Sequence, residues 1–412
     1  MNLKHLLLFI FVGHFAIAQI KYEENPPENI KTIVFKGSDD DDQFPIIKLN
    51  ESVLLKFDDL NGDEANYYYK LTHCNFDWTP SNIPKNRFLD GFDNERIINY
   101  RNSLNALTIY SHYELSLPNN KTRFKIGGNY ILEIFNQQGD LMFSRRFIVY
   151  ENIVNVGVTI KRARDVAVID QKQVVQLDIN TNSLQYRNPE KEIKVAILQN
   201  YLWDTAITDL KPQFVLGNKL QYRYDEQARF DGGNEFLNFD SKDIRTSNIN
   251  VSHVELGTIY NQYLYTDEIR SGLPYTYNPD INGDFLVTSV NGDPDIEADY
   301  ARMHFSLPYN SDIGLQKVYV VGKFNNYQVT DEYELLLDQK VGLYKGNALF
   351  KQGFYNYKYV TVDNGIINDV SISGSLSQTE NNYTVLVYFR KFGAMYDSVI
   401  GVGLGDSSVI TN

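Results

Sequence analysis

The feature that most limits what this chain can fold into is a side-chain period of two. Val53-Leu54-Leu55-Lys56-Phe57, Tyr130-Ile131-Leu132-Glu133-Ile134, Val175-Gln176-Leu177-Asp178-Ile179 and Val318-Tyr319-Val320 all alternate at the spacing of a pleated strand. Turn signals punctuate these runs at short intervals: Asn61-Gly62, Gly127-Gly128, Gln138-Gly139-Asp140, Gly232-Gly233, Asn282-Gly283 and Asn291-Gly292. Thirty tyrosines and 24 phenylalanines, residues that favour strands, reinforce the pattern. No long stretch carries a helical period. Short strands separated by frequent turns predict an all-β protein of tandem β-sandwich domains.

The N-terminus reads as an export signal. Lys4 precedes an apolar run from Leu6 to Phe15, and Ala16-Ile17-Ala18 supplies small residues for cleavage before Gln19. That run is too short to span a bilayer, no later segment reaches the length of a membrane helix, and no cysteine follows the cleavage site to take a lipid. The predicted divisions are a signal peptide over 1–18, a first β-sandwich over 19–150, a middle β domain over 151–290, a C-terminal sandwich over 291–403 and a tail over 404–412. Net charge is −13, and −14 once Lys4 is removed. So acidic a chain is a poor ligand for nucleic acid or anionic lipid. One cysteine, Cys74, allows no internal disulfide, so packing alone must hold the fold.

The stretch Tyr67–Ser81, YYYKLTHCNFDWTPS, invites a reactive reading because His73 adjoins Cys74. On a strand, however, neighbouring side chains point to opposite faces. Parity sends His73 inward with Tyr67, Tyr69 and Leu71. Cys74 shares the other face with Tyr68, Lys70 and Thr72, where another loop or a partner must cover it. Zinc is disfavoured because His73, His112, His253 and His304 are isolated in sequence. Asp39–Asp42, the group Asp58, Asp59, Asn61 and Asp63, and the trio Asp280, Asn282 and Asp284 gather oxygens but lack the twelve-residue calcium loop. There is no Gly-x-Ser-x-Gly, and Gly401-Val402-Gly403-Leu404-Gly405 opens no helix. The expectation is a non-enzyme with no catalytic residues, cofactor or metal.

Two resemblances sharpen this picture. VYVVGKFNNYQ (318–328) and GLYKGNALFKQGFYNYKYVTVDNG (342–365) resemble the immunoglobulin-like modules that bind glycogen and starch. That likeness implies an immunoglobulin-like C-terminal sandwich. It also raises an alternative function, an exported carbohydrate-binding protein with Tyr327 and Tyr355 as stacking platforms. Tyr327 stands where those modules typically carry Trp.

The second likeness covers nearly the whole exported chain. Tyr67–Lys70, His73-Cys74, Asp77-Trp78, Asp90-Gly91-Phe92, Tyr110-Ser111-His112-Tyr113, Ser116–Asn119 and Gly127–Tyr130 are its motifs in the first third. Gly232–Phe236, Val290–Tyr300 and Phe392–Gly403 continue it. In these the chain resembles the type IX secretion system plug proteins of Bacteroidota. The resemblance implies a periplasmic, cofactor-free protein at the inner side of the outer membrane. Its implied partner is the giant outer-membrane barrel of the SprA/Sov type, whose periplasmic opening it closes, as a monomer within a larger complex. Aromatic side chains anchor many interfaces, so Trp78, Phe88 and Phe92 in the segment 76–100, with Phe230 and Phe236, are the candidate contacts. The competing expectation folds Trp78, Phe88 and Phe92 back onto the first sandwich.

Overall fold

The computed structural model describes residues 23–38, 41–182, 184–314, 316–408 and 410. The expected signal peptide lies outside them. Strands occupy 47% of the chain and helices 5%, which establishes the all-β class. Each helix among the described residues is a stub of three or four residues.

The first unit is a sandwich of two sheets. One orders the strands Ile30–Gly37, Val53–Asp59, Ser111–Leu117 and Asn99–Asn102. The other orders Ile46–Lys48, Leu141–Tyr150, Gly128–Phe135, Tyr68–Cys74 and Glu95–Arg96. Leu55, Phe57, Tyr69, Leu71, Tyr113, Tyr130, Leu132 and Phe147 fill the space between them. The alternation at Tyr130–Ile134 implies one wet face, yet Gly128–Ile134 is buried throughout. Tyr130, Leu132 and Ile134 point into the sandwich. Ile131 and Ile148 point the other way, into a second apolar layer shared with Ala196, Leu198, Leu386, Tyr388 and Val399 of the middle unit.

The middle unit is not contiguous in sequence, because the third unit is inserted within it, which corrects the expected divisions. The strand Ile193–Gln199 pairs antiparallel with Asn382–Phe389, which pairs with Ser398–Asp406. This sheet faces a second, built from Asn155–Arg162, Lys172–Asn180, Lys219–Tyr222 and Phe214–Leu216, across the core of Val175, Leu177, Val195, Ile197, Val385 and Val387. Residues 382–406 therefore complete the middle unit rather than close the C-terminal one. Conversely, Leu237–Asp240, Val251–Leu256, Tyr260–Leu264 and Phe285–Val287, expected in the middle domain, join the ten-stranded sheet that also contains Tyr300–Pro308, Lys317–Val321, Leu343–Lys351 and Gly353–Asp363. That sheet folds over its own core of Phe239, Phe305, Phe350, Tyr355 and Tyr357. The expected tail at 404–412 is also revised. Residues 404–406 are strand, and Ser407 is buried, its backbone N–H donating to the Asn381 carbonyl at 3.0 Å. A strand pattern cannot disclose such an excursion, because pairing partners are a long-range property.

Polar contacts join the first unit to the third. In the first, register sets Asp58 opposite His112; in the third it sets Tyr300 opposite Lys351. The two pairs meet. The Lys351 ammonium donates to Asp58 Oδ2 at 2.7 Å, the Tyr300 hydroxyl donates to the same oxygen at 2.7 Å, and His112 Nδ1 donates to Oδ1 at 2.6 Å. Asp58 is 0% exposed and Lys351 1%. Around this centre lies the segment 293–300. Asp295 pairs with Lys56 at 2.8 Å, Asp299 accepts the backbone N–H groups of Leu107 and Thr108, and the Ala298 carbonyl accepts the Tyr110 hydroxyl at 2.8 Å.

Burial by itself would raise the Asp58 carboxyl, but the Lys351 charge and the His112 hydrogen bond outweigh it and hold it below the ordinary range. A carboxyl that titrates lower folded than unfolded adds stability above pH ~4, and that stability is lost as pH falls through its folded value. Asp58→Asn strands a buried ammonium without its counter-charge, so it is expected to destabilise the protein by about 3–5 kcal/mol in urea unfolding at neutral pH. Asp58→Leu combined with Lys351→Met should recover much of that loss. A single variant within 1 kcal/mol of the parent, on the order of an exposed ion pair, would refute the clamp.

Candidate functional site

The stretch Tyr67–Ser81 forms the strand Tyr68–Cys74 and then a turn that leaves the sandwich. His73 faces inward, as parity requires. Its ring packs edge-on against Tyr130 at 5.0 Å and near Phe88 and Tyr396, and Nδ1 bonds the Ser81 hydroxyl at 2.8 Å. Gly128 lies beside it because a Cβ there would fall 2.2 Å from His73 Nε2. Burial pushes the imidazole down to about 4, against weaker opposition from the Gly127 backbone and the Asp397 charge. Cys74 points the other way and is 0% exposed in the layer shared with the middle unit, so the expected cover is the middle unit itself.

Most aromatic candidates are structural. Trp78 is buried edge-on against Trp203 at 4.8 Å, with the Arg146 guanidinium 4.5 Å from its ring centre. It is a seam residue between units rather than a loop tip. Phe88 is buried against His73 and Tyr130. Phe230 packs on Tyr383 in the middle core, and Phe236 is buried near Tyr327. Tyr355 is buried, stacked between Phe239 and Phe285 at 5.1 and 5.2 Å, so it offers no face to a sugar. Tyr327 is half-buried at the junction of the units. The motif read as a glycan platform supports the core and seams of the third unit. Its exposed positions are needed for stacking, and tertiary packing takes them.

Phe92 alone of the five contact candidates is open, at 73% exposure. Its backbone N–H donates to the Lys121 carbonyl at 2.8 Å, and the Thr122 hydroxyl donates to its own carbonyl. Close by, a groove of about 370 Å³ runs between residues 95–99 and 114–121 of the first unit. Ile98 stands on its lip, 74% exposed, and Tyr69, Arg96, Leu115 and Lys121 line it. Lys85 pairs with Asp93 at 2.6 Å beside Phe92. Phe92 and Ile98 are thus two exposed apolar side chains of one segment of the first unit, with charged residues of both signs beside them. Sequence reading named the segment but missed Ile98, because Ile97 and Ile98 are indistinguishable until the fold buries the first and exposes the second. A second apolar run, Phe214-Val215-Leu216, is exposed on the edge strand of the middle unit.

The acidic clusters hold backbone. Asp59 accepts the Asn61 N–H at 3.0 Å and the Tyr67 hydroxyl at 2.8 Å. Asp280 accepts the Asn282 and Phe236 N–H groups, and burial pushes its carboxyl up to about 7. Asp284 accepts Gln43 through both the backbone N–H and Nε2, each at 2.8 Å. Asp39 and Asp40 lie outside the described residues. Among those described, no group of three or more His, Cys, Asp or Glu is gathered to hold a metal.

Comparison with known proteins gives the following. A family model described as "Type 9 secretion system plug protein 1st domain" matches residues 30–151. Among solved structures, the chain is similar to a hypothetical protein from Parabacteroides merdae ATCC 43184. The two share 31% identity with a TM-score of 0.89, over 94% of this chain and all of that one. No curated protein matches significantly.

The buried imidazole makes a pH test. The unfolded state takes up a proton near pH 6.5 and the folded state only near 4, so stability attributable to His73 is present above the first value and declines as pH falls between them. His73→Asn, which keeps an acceptor for Ser81, should flatten the pH dependence of the unfolding free energy from pH 6.5 to 4. The expected change is up to about 1.4 kcal/mol per pH unit, the value of one proton. An unchanged slope in denaturant titrations would show that His73 is protonated in the fold.

Proposed function

The chain belongs to the type IX secretion system plug family, and from that membership we propose that it is the periplasmic stopper of a giant SprA-type outer-membrane barrel, closing it when no cargo is engaged. The single observation that carries this reading is the family match over the first unit, residues 30–151, the unit that bears the Phe92–Ile98 surface. The role is mechanical rather than catalytic. A stopper must resist leakage as one body yet leave when cargo arrives. The buried Asp58–Lys351 clamp and the apolar layer around Cys74 tie the units together without a disulfide. Phe92 and Ile98 supply exposed apolar side chains, with Glu95, Arg96 and Lys121 lining the groove at Ile98, the composition of a displaceable contact. No helix among the described residues is long and apolar enough to cross a membrane, so attachment to the envelope on this reading is through the partner.

The test is affinity capture of the tagged chain from its native envelope with mass-spectrometric identification of what co-purifies. Recovery of the giant barrel is expected. Phe92→Asp with Ile98→Asp should reduce that recovery at least about tenfold, the effect of losing one interface anchor, with the melting temperature unchanged because both side chains are exposed. If the barrel is absent from captures of intact, periplasmic protein, the stopper reading falls. If it is recovered equally well with the double variant, the contact lies elsewhere.

A further inference from the structure

All three units meet at one cavity of about 350 Å³, and its chemistry is unlike the acidic surface of the chain. Arg145 and Arg146 enter from the first unit, Tyr201 and Trp203 from the middle, and Lys323 and Tyr327 from the third. Arg145 is 9% exposed, and among the described residues its guanidinium donates only to the carbonyls of Ser144 and Glu24, at 2.8 and 3.3 Å. The Lys323 ammonium lies 5.4 Å from the Tyr201 ring centre. Neither cation has an ion-pair partner among the described residues. Two carboxylates line the cavity, Glu23 and the exposed Asp204. Glu23 accepts the Arg146 backbone N–H and Asn326 Nδ2, each at 2.6 Å, and Asp284 nearby is held by Gln43, so none of them is in contact with either cation. Burial depresses both cations against weaker opposition from the Glu23 charge, with Asp284 also opposing it at Lys323, and the Arg145 charge depresses Lys323 further. A desolvated cation with no counter-charge in contact is costly, and an anion entering between the two relieves that cost.

Two further observations point to the same place. Gln43 Oε1 is buried without a hydrogen bond among the described residues, and the Tyr201 hydroxyl and Trp203 Nε1, which lie near one another, make no well-formed one. The turns that deliver the two tyrosines also hold non-glycine residues in the left-handed region: Asn200 and Tyr201 at φ 46° and 61°, Asn326 and Tyr327 at 51° and 57°. Tyrosine rarely adopts that conformation, and such outliers cluster at ligand sites. Ile33, Phe35, Pro45 and Leu202 supply an apolar part of the wall, beside polar residues such as Gln43 and Asn200.

We propose that this junction is a binding site for an organic carboxylate, its charge between Arg145 and Lys323 and its carbon body over Tyr201 and the apolar wall. An inorganic anion would satisfy the cations but leave that wall uncovered, and the planar guanidinium suits a carboxylate. The carboxylate can come from a free small acid or from a glutamate or aspartate presented by a partner segment. The site spans three units, so its occupancy would tighten their junction; it stands independently of the stopper reading.

The chain carries its own reporter, because of its two tryptophans Trp203 lines this cavity and Trp78 packs edge-on against Trp203. The exported chain would be titrated with glutarate and with an end-blocked pentapeptide bearing one central glutamate, following tryptophan fluorescence and the melting temperature. Glutaramide, the matching glutamine peptide and sulfate serve as controls. A saturable fluorescence change and raised melting temperature with an acid, absent with its amide and weaker with sulfate, is expected. Response to glutarate alone assigns a free acid, and response to the peptide assigns a partner side chain. Lys323→Met should abolish the response at least tenfold while melting at or above the parent temperature, since it removes an unpaired buried charge. Tyr201→Phe provides a second variant that keeps the ring. No saturable change, equal binding of the amides or sulfate, or a Lys323→Met variant that responds like the parent would overturn the proposal.

Discussion

One carboxylate buried between two sheets organises the molecule. Asp58 sits where the first sandwich meets the third unit, and three donors from two units converge on its two oxygens. An isolated charge could not survive there, and an isolated Lys351 could not either. Each makes the burial of the other tolerable, and only in the docked arrangement. The clamp is therefore less a source of net stability than a constraint on geometry, since a shifted docking leaves both charges desolvated and unpaired. The segment 293–300 is built around it. Its stub helix is capped by Asp293, whose side chain accepts the Asp295 N–H, and its acidic side chains and carbonyls reach across to Lys56, Leu107, Thr108 and Tyr110.

The opposite face of the first sandwich is held by a different force. The sheet containing Gly128–Phe135 is covered on one side by its own sandwich and on the other by the middle unit. Cys74, Ile131 and Ile148 meet Ala196, Leu198, Leu386 and Tyr388 there, and polar stitches line the border, such as the Tyr388 hydroxyl donating to Asn129 at 2.7 Å. A polar clamp on one side and an apolar layer on the other leave the first unit little freedom to rock. That matters for a protein whose proposed work is to hold an opening closed: the give belongs at the contact with the partner, not inside the plug.

How much of this was legible in the residues varies by feature. The inward turn of His73 and outward turn of Cys74 follow from strand parity alone. The alternative expectation folded Trp78, Phe88 and Phe92 back onto the first sandwich; Phe88 does pack there against Tyr130, whereas Trp78 is buried against Trp203 of the middle unit and Phe92 stays exposed. Asp58 was read with Asp59, Asn61 and Asp63 as a loop of oxygens. Its strand, Val53–Asp59, in fact runs on through both aspartates, and nothing local marks Asp58 as the partner of a lysine almost three hundred residues away. Ile98 and the Phe214–Leu216 edge carry no local mark of exposure at all.

Local chemistry settled whatever depends on near neighbours. The period of two and the Asn-Gly and Gly-Gly turns determine an all-β chain, the lone cysteine rules out an internal disulfide, and the long motifs place the chain in its family. The tertiary structure decided whatever depends on pairing at a distance. Residues 382–406 return to complete the middle unit because Asn382–Phe389 finds its ladder on Ile193–Gln199, a match that no local pattern encodes. The same holds for which aromatics stay at the surface and for the meeting of Arg145, Tyr201 and Lys323 at one cavity. Hydrophobicity tells a side chain to leave water, but the fold alone tells it what it will touch.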